Sequence, residues 1–187
     1  MAADHFSLFE TAIGACGIAW DARGVIAGVQ LPEANASATR VRMQRRHPNA
    51  SEAAPPAQVR GAIDAIVALL GGELRNLADV QIDLEAVDAF ARAVYDIARR
   101  IPPGQTLTYG DIAKQLGEAA LAQEVGVALA RNPFPLIVPC HRVLGAGGKL
   151  GGFSAPGGVT TKLQLLAIEG VAINGQLDLF AGAPRRD

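Results

Sequence analysis

The sequence predicts a mixed α/β protein, and three observations carry that reading. Short apolar segments flank a turn-rich tetrapeptide near the N-terminus, apolar residues recur at three- and four-residue steps further on, and half of the 187 residues are hydrophobic. A chain of this length and apolarity can bury a real core as one domain or two small ones. Taken in order, Gly17-Ile18-Ala19-Trp20, the turn Asp21-Ala22-Arg23-Gly24 and Val25 to Leu31 read as a β-hairpin. Residues 38–47 and 57–70 read as helices separated by a loop from Pro48 to Pro56, and Ile82-Asp83-Leu84 reads as a further strand. From Glu85, the series Val87, Phe90, Val94, Ile97 and Ile101 marks an amphipathic helix stopped by Pro102-Pro103-Gly104. Thr108 can cap the next helix, with Ile112 and Leu116 inward and Gly117 at its end; Glu118 to Arg131 supplies another before Asn132-Pro133. Thr161 and Gln164 read as a capping box for a last helix that ends at Gly170. The resulting division is residues 1–84 as a small α/β domain, 85–175 as a mostly helical one and 176–187 as a tail.

Composition narrows the function classes. A net charge of -1 gives no global basic field, so any nucleic-acid binding must rest on few phosphate contacts and show a shallow salt dependence. Two cysteines, Cys16 and Cys140, make a poor secreted disulfide framework, which favours a reducing cytoplasm. Apolar runs fall short of the roughly 18 residues a membrane span requires, and no export signal opens the chain. Cys16, His5 and His47 have no partners at ligand spacing, so no metal site is expected.

The chemistry is concentrated in Pro139-Cys140-His141-Arg142-Val143, which sets a thiol beside an imidazole after the apolar run Leu136-Ile137-Val138. An isolated cysteine is most often an inert buried hydrophobe, so its neighbours must decide. A thiol with an ordinary pKa of about 8.5 is mostly protonated at neutral pH and needs a base or a positive neighbour. His141 is the nearest base, through a bridging water since adjacent side chains point apart, and Glu169 can fix its tautomer. Tyr109 offers a phenolic proton, or simply a packed ring at a helix start. A cysteine peptidase would want a distant base and an oxyanion hole, and neither is visible.

Thr108-Tyr109-Gly110, Arg131-Asn132-Pro133, the cysteine pentapeptide, Gly151-Gly152-Phe153-Ser154 and Leu165 to Gly170 occur in a fixed order that closely resembles the O6-alkylguanine-DNA alkyltransferase family. The resemblance runs from about Val87 to Ile173. It implies a ribonuclease H-like N-terminal domain and a C-terminal domain with a helix-turn-helix, acting as a monomer on double-stranded DNA that carries O6-alkylguanine, and by extension O4-alkylthymine. It implies that Cys140 takes the alkyl group irreversibly, once per protein molecule, without a cofactor, after the base is flipped from the duplex. Cys140, His141, Glu169 and Tyr109 are then catalytic. Val143, Ser154 and Asn132 shape the base pocket, with Asn132 bracing the turn before an active-site strand. Ala122, Gln123, Gly126, Val127 and Arg131 face DNA on the recognition helix. Gln123 stands where the family usually carries an arginine that fills the space left by the extruded base, which removes a charge and a stacking plane. Glu118 and Glu124 oppose close phosphate contact, and the loop Ala155-Pro156-Gly157-Gly158 is longer than the family's commonest form. The alternative is a non-enzymatic lesion-binding protein of the alkyltransferase-like kind; those relatives replace the nucleophile that is present here. Finally, Gln176-Leu177-Asp178-Leu179-Phe180 resembles the pentapeptide by which bacterial DNA-processing proteins dock onto the sliding clamp, the alternative being a tail that covers the protein's own core.

Overall fold

In the computed structural model, which describes residues 3–173, a sheet and a set of helices pack around one main hydrophobic core. Strands β1 (His5–Phe9), β2 (Cys16–Trp20), β3 (Ile26–Gln30) and β4 (Ser51–Glu52) form a sheet in the order β3-β2-β1-β4. The expected hairpin is β2 and β3, antiparallel with Ile18 opposite Val29 and a register shift between Ala19 and Trp20. Strand β1 went unread in the sequence, because five residues that include His5 and Ser7 carry little apolar signal apart from their pairing with β2 and β4. Ile82-Asp83-Leu84 is not a strand: Ile26 N donates to Gln81 O and Asp83 N donates to Ile26 O, which makes an isolated bridge between Ile26 and Ile82.

Helix α1 (Ala36–Arg46) starts earlier than expected because Asn35 accepts a hydrogen bond from the Ala38 amide. It lies close against β2: a Cβ on Gly17 would meet Met43 Sδ at 2.7 Å, so glycine is what allows the approach. Helix α2 (Ala57–Leu70) has its expected bounds and buries Val59, Ile63, Ile66 and Leu70. Helix α3 (Ala89–Arg99) begins after Asp88, which caps it through the Ala91 amide, and Val87 is left outside.

Strand β5 (Leu107–Thr108) pairs in parallel with β6 (Val143–Leu144), which brings the start of α4 (Tyr109–Gln115) beside the cysteine pentapeptide. Thr108 caps α4 in a reciprocal box with Asp111, and Gly117 ends it at a φ of 95°. The helix expected over Glu118 to Arg131 is a 3-10 turn at Ala119–Leu121 followed by α5 (Ala122–Ala130), since Glu118 is extended and no side chain caps the turn. Tyr95 in α3 donates to the Ala128 carbonyl at 3.1 Å, tying α3 to α5. The capping box read at Thr161 and Gln164 does not form. Helix α6 (Gly158–Ile168) begins three residues before Thr161, after a left-handed Gly157, and the Thr161 hydroxyl donates back to the Pro156 carbonyl at 2.6 Å.

Candidate active site

Leu136-Ile137-Val138, the apolar run before the cysteine, forms a tight turn. Leu136 takes a φ of 74°, a strained conformation for a branched side chain, while Val138 N donates to Phe134 O. Asn132 holds this turn from inside: Nδ2 donates to Val138 O at 2.8 Å and Oδ1 accepts from the Phe134 amide at 2.8 Å. The same Nδ2 lies 3.4 Å from Cys140 Sγ, so one side chain fixes both the turn and the sulfur.

Cys140 opens the short 3-10 turn Cys140–Arg142 and lies at a cavity of about 550 Å³. That cavity gathers Tyr109, Ala122, Gln123, Gly126 and Ser154 around the sulfur. Helix α5 runs against the Tyr109 ring at Gly126, where a Cβ would meet the ring edge at 3.9 Å in ordinary contact. Val127 and Arg131 are not part of this wall. Both line a separate cavity of about 570 Å³ between α3 and α5, and Arg131 also borders a third.

Behind the sulfur sits a buried charge cluster. Glu169 Oε1 accepts from His141 Nε2 at 2.9 Å and from Arg142 Nη2 at 2.8 Å, and its Oε2 accepts from Arg142 Nε at 2.9 Å. The Gly104 amide adds a fourth hydrogen bond at 3.2 Å, and Arg142 Nη1 donates to Ile101 O at 2.7 Å. Burial alone would raise the Glu169 carboxyl, but the hydrogen bonds and charges of His141 and Arg142 outweigh it and hold the group at about 2. His141 is pushed below its ordinary value by burial, partly offset by Glu169, so it stands as a neutral base. Its Nε2 is engaged by the carboxylate, and Nδ1 has no protein partner among the described residues. Arg142 as a partner of Glu169 went unread in the sequence.

Lys162 went unread too, since a lysine on a helix ordinarily faces solvent. Here it is fully buried, its Nζ donates to the Val143 carbonyl at 2.6 Å, and it lies 5.9 Å from the centroid of the Tyr109 ring. Burial lowers it to about 8. The Cys140 thiol is raised by burial, with the Asn132 hydrogen bond and the Lys162 charge acting against that. Burial raises the Tyr109 hydroxyl as well. The arrangement is a protonated thiol in a partly buried pocket, with an ammonium near it, a neutral imidazole beside it in sequence and a phenol across the cavity. Among the described residues no group of three or more His, Cys, Asp or Glu could hold a metal ion.

Residues 89–171 match the family model for the 6-O-methylguanine DNA methyltransferase DNA-binding domain. The methylated-DNA–protein-cysteine methyltransferase of Mycobacterium tuberculosis H37Rv is 42% identical over 125 residues, covering 67% of this chain and 73% of the relative. The crystal structure of Mycobacterium tuberculosis OGT in complex with DNA superposes with a TM-score of 0.70 at 34% identity, covering 88% of this chain and 92% of the other. That of the O6-methylguanine-DNA methyltransferase from the archaeon Pyrococcus kodakaraensis KOD1 gives 0.67 at 26% identity, covering 89% and 99%. With the thiol and the phenol lining one cavity and the buried Glu169 cluster behind them, these likenesses establish that the chain belongs to the methylated-DNA–protein-cysteine methyltransferase family.

Proposed function

We infer that the protein repairs DNA by moving a methyl or larger alkyl group from guanine O6, and from thymine O4, onto Cys140 in a single irreversible turnover. The observation that carries this reading is the cavity that places Cys140, Tyr109 and Ser154 around one space of about 550 Å³, large enough for a purine. A flipped guanine enters it; Ser154 and the Cys140 and Val143 carbonyls bind the base edge. The Val143 carbonyl already accepts from Lys162 and keeps one lone pair for the guanine amino group. His141, its tautomer set by Glu169, takes the thiol proton through a water at Nδ1. The Cys140 sulfur then attacks the alkyl carbon in line with O6. The C–O6 bond breaks, and the electron pair left on guanine is neutralised by a proton from Tyr109. The thioether is stable and no cofactor takes part, so the protein is consumed.

Helices α4 and α5 act as a helix-turn-helix that docks α5 in the minor groove, where Ala122, Gly126 and Val127 are small enough for close approach. Gln123, lining the cavity mouth, fills the space of the extruded base without the charge of an arginine. Residues 1–84, with a ribonuclease H-like arrangement, support residues 85–175, and the protein works as a monomer in the cytoplasm. Gln176-Leu177-Asp178-Leu179-Phe180 lies outside the described residues; as a sliding-clamp ligand it would raise the local concentration of a weakly charged repair protein on replicated DNA. A synthetic peptide covering residues 174–184 should bind the clamp, and loss of that binding on replacing Leu179 and Phe180 by alanine is the control. The repair reading itself is tested by titrating the protein against a duplex labelled in the O6-methyl group. Label should move to protein one for one and then stop. Continued turnover, or binding to the lesion without transfer, would refute it.

A further inference from the structure

One buried carboxylate serves two neighbouring side chains behind the nucleophile. Glu169 Oε1 accepts from His141 Nε2 at 2.9 Å and from Arg142 Nη2 at 2.8 Å, so the base and the guanidinium share a single oxygen. Oε2 accepts from Arg142 Nε at 2.9 Å and from the Gly104 amide at 3.2 Å. The far end of the guanidinium is fixed by the Ile101 carbonyl, which accepts from Nη1 at 2.7 Å, and this holds the fork facing Glu169 in one orientation. The side chains of His141, Arg142 and Glu169 are each exposed by 2% or less.

Charge in so buried a cluster must balance, because an ion left without a partner in a low-dielectric interior is strongly disfavoured. Glu169 and Arg142 balance each other, one negative against one positive. A proton on His141 would give the cluster a net positive charge. Among the described residues the charged groups that act on His141 are Glu169 at the end of α6, Lys162 within α6 and Arg142 on its own turn, and the two cations both oppose that proton. Cys140, which precedes it on the turn, is a neutral thiol until it reacts.

We propose that Arg142 is a positioning residue for the base: by taking up the Glu169 charge and sharing Oε1, it holds His141 as a neutral imidazole with its proton on Nε2 and its lone pair on Nδ1. The inference rests on alkyl transfer to Cys140 with His141 as the base. Without Arg142 the buried carboxylate would lack a positive charge and would draw a proton onto His141. Both ring nitrogens would then be donors, and Nδ1 would have no lone pair to receive the thiol proton through water. Arg142 therefore sets how far into acid repair persists.

The test joins a titration to a rate. The ring nitrogen and proton shifts of His141 are followed by NMR from about pH 8 to 5 in the wild type, Arg142→Met and Arg142→Lys. Single-turnover methyl transfer from an O6-methylguanine duplex is measured over the same range. The wild-type imidazole should stay neutral, with its proton on Nε2, to well below the ordinary value of about 6.5, and transfer should hold level to the same point. In Arg142→Met the imidazole should titrate about one unit higher or more, and the acid limb of transfer should move up with it. The deficit against wild type should then be largest in acid. Arg142→Lys restores the charge without the fork and should return most of both shifts. Should Arg142→Met not fold, the wild-type titration decides by itself, and a midpoint at or above about 6.5 overturns the proposal. Identical His141 titrations in wild type and Arg142→Met, or transfer scaled down by one factor at every pH, would overturn it as well. Absence of methyl transfer by a wild type whose His141 titrates as expected would instead refute the repair reading.

Discussion

Replacing Glu169 by glutamine preserves shape but removes the charge that joins His141 and Arg142, and the cost can be worked from the structure. The carboxyl lies at about 2 against an ordinary 4.5, and each unit is worth about 1.4 kcal/mol, so ionised Glu169 contributes about 3 kcal/mol at neutral pH. The side chains of Glu169 and Arg142 are each 2% exposed, so solvent screening takes little from this figure. Breaking one side of a buried ion pair costs about 3–5 kcal/mol by a separate route, because Arg142 would be left charged and unpaired. With a urea dependence of about 2 kcal/mol per molar, the unfolding midpoint of Glu169→Gln at pH 7 should drop by about 1.5 M. The sign with pH follows from a folded value below the unfolded one. The contribution is complete above about 4.5 and is lost as pH falls from there through 2, so the difference between wild type and variant should narrow over that window. A midpoint shift under about 0.5 M, or a difference that does not narrow in acid, would refute the buried pair as a source of stability. Under conditions where the variant is folded, transfer should be slower with duplex binding nearly intact.

His47 is buried with neither ring nitrogen hydrogen-bonded among the described residues, and burial, followed by the neighbouring Arg46, lowers it to about 4 from 6.5. The unfolded chain binds that proton first, so stability should fall by about 3 kcal/mol as pH drops from 6.5 to 4, and the slope should vanish in His47→Leu. Lys162→Met should slow methyl transfer about tenfold near pH 7 and recover part of the loss as pH is raised, since the thiolate then forms without its neighbouring cation; a profile merely scaled down at every pH would contradict this. Gln123→Arg should tighten duplex binding or speed repair, more so at low salt; unchanged single-turnover rates and an unchanged base-flipping reporter would remove Gln123 from the intercalating position.

The elements governed by local signals were legible in the sequence. Thr108 as a cap, the stop at Gly117 and the bounds of α2 follow from capping, glycine and periodicity within a few residues. What depended on distant partners was not. Strand β1 is stabilised by β2 and by the two residues of β4 far along the chain. Lys162 and Arg142 carry charges that a sequence assigns to the surface, and only the Val143 carbonyl and Glu169 carboxylate, distant in sequence, explain their burial. The cysteine motif located the thiol and the adjacent imidazole, while the turn at Leu136 and the arginine-lined cavity shared by α1 and Cys140 depend on how the chain folds back on itself.

On the proposed function Cys140, and no other residue, accepts the alkyl group. Cys16 offers a contrast within the same chain, since it is fully buried and its thiol is pushed up to about 12 by burial. Intact-protein mass followed by peptide mapping, after incubation with excess O6-methylguanine duplex, tests the claim directly. The expected gain is one methyl group per molecule, found wholly on the peptide containing Cys140 and absent from Cys140→Ser. Methylation of another residue, or a wild-type rate of transfer in Cys140→Ser, would contradict it.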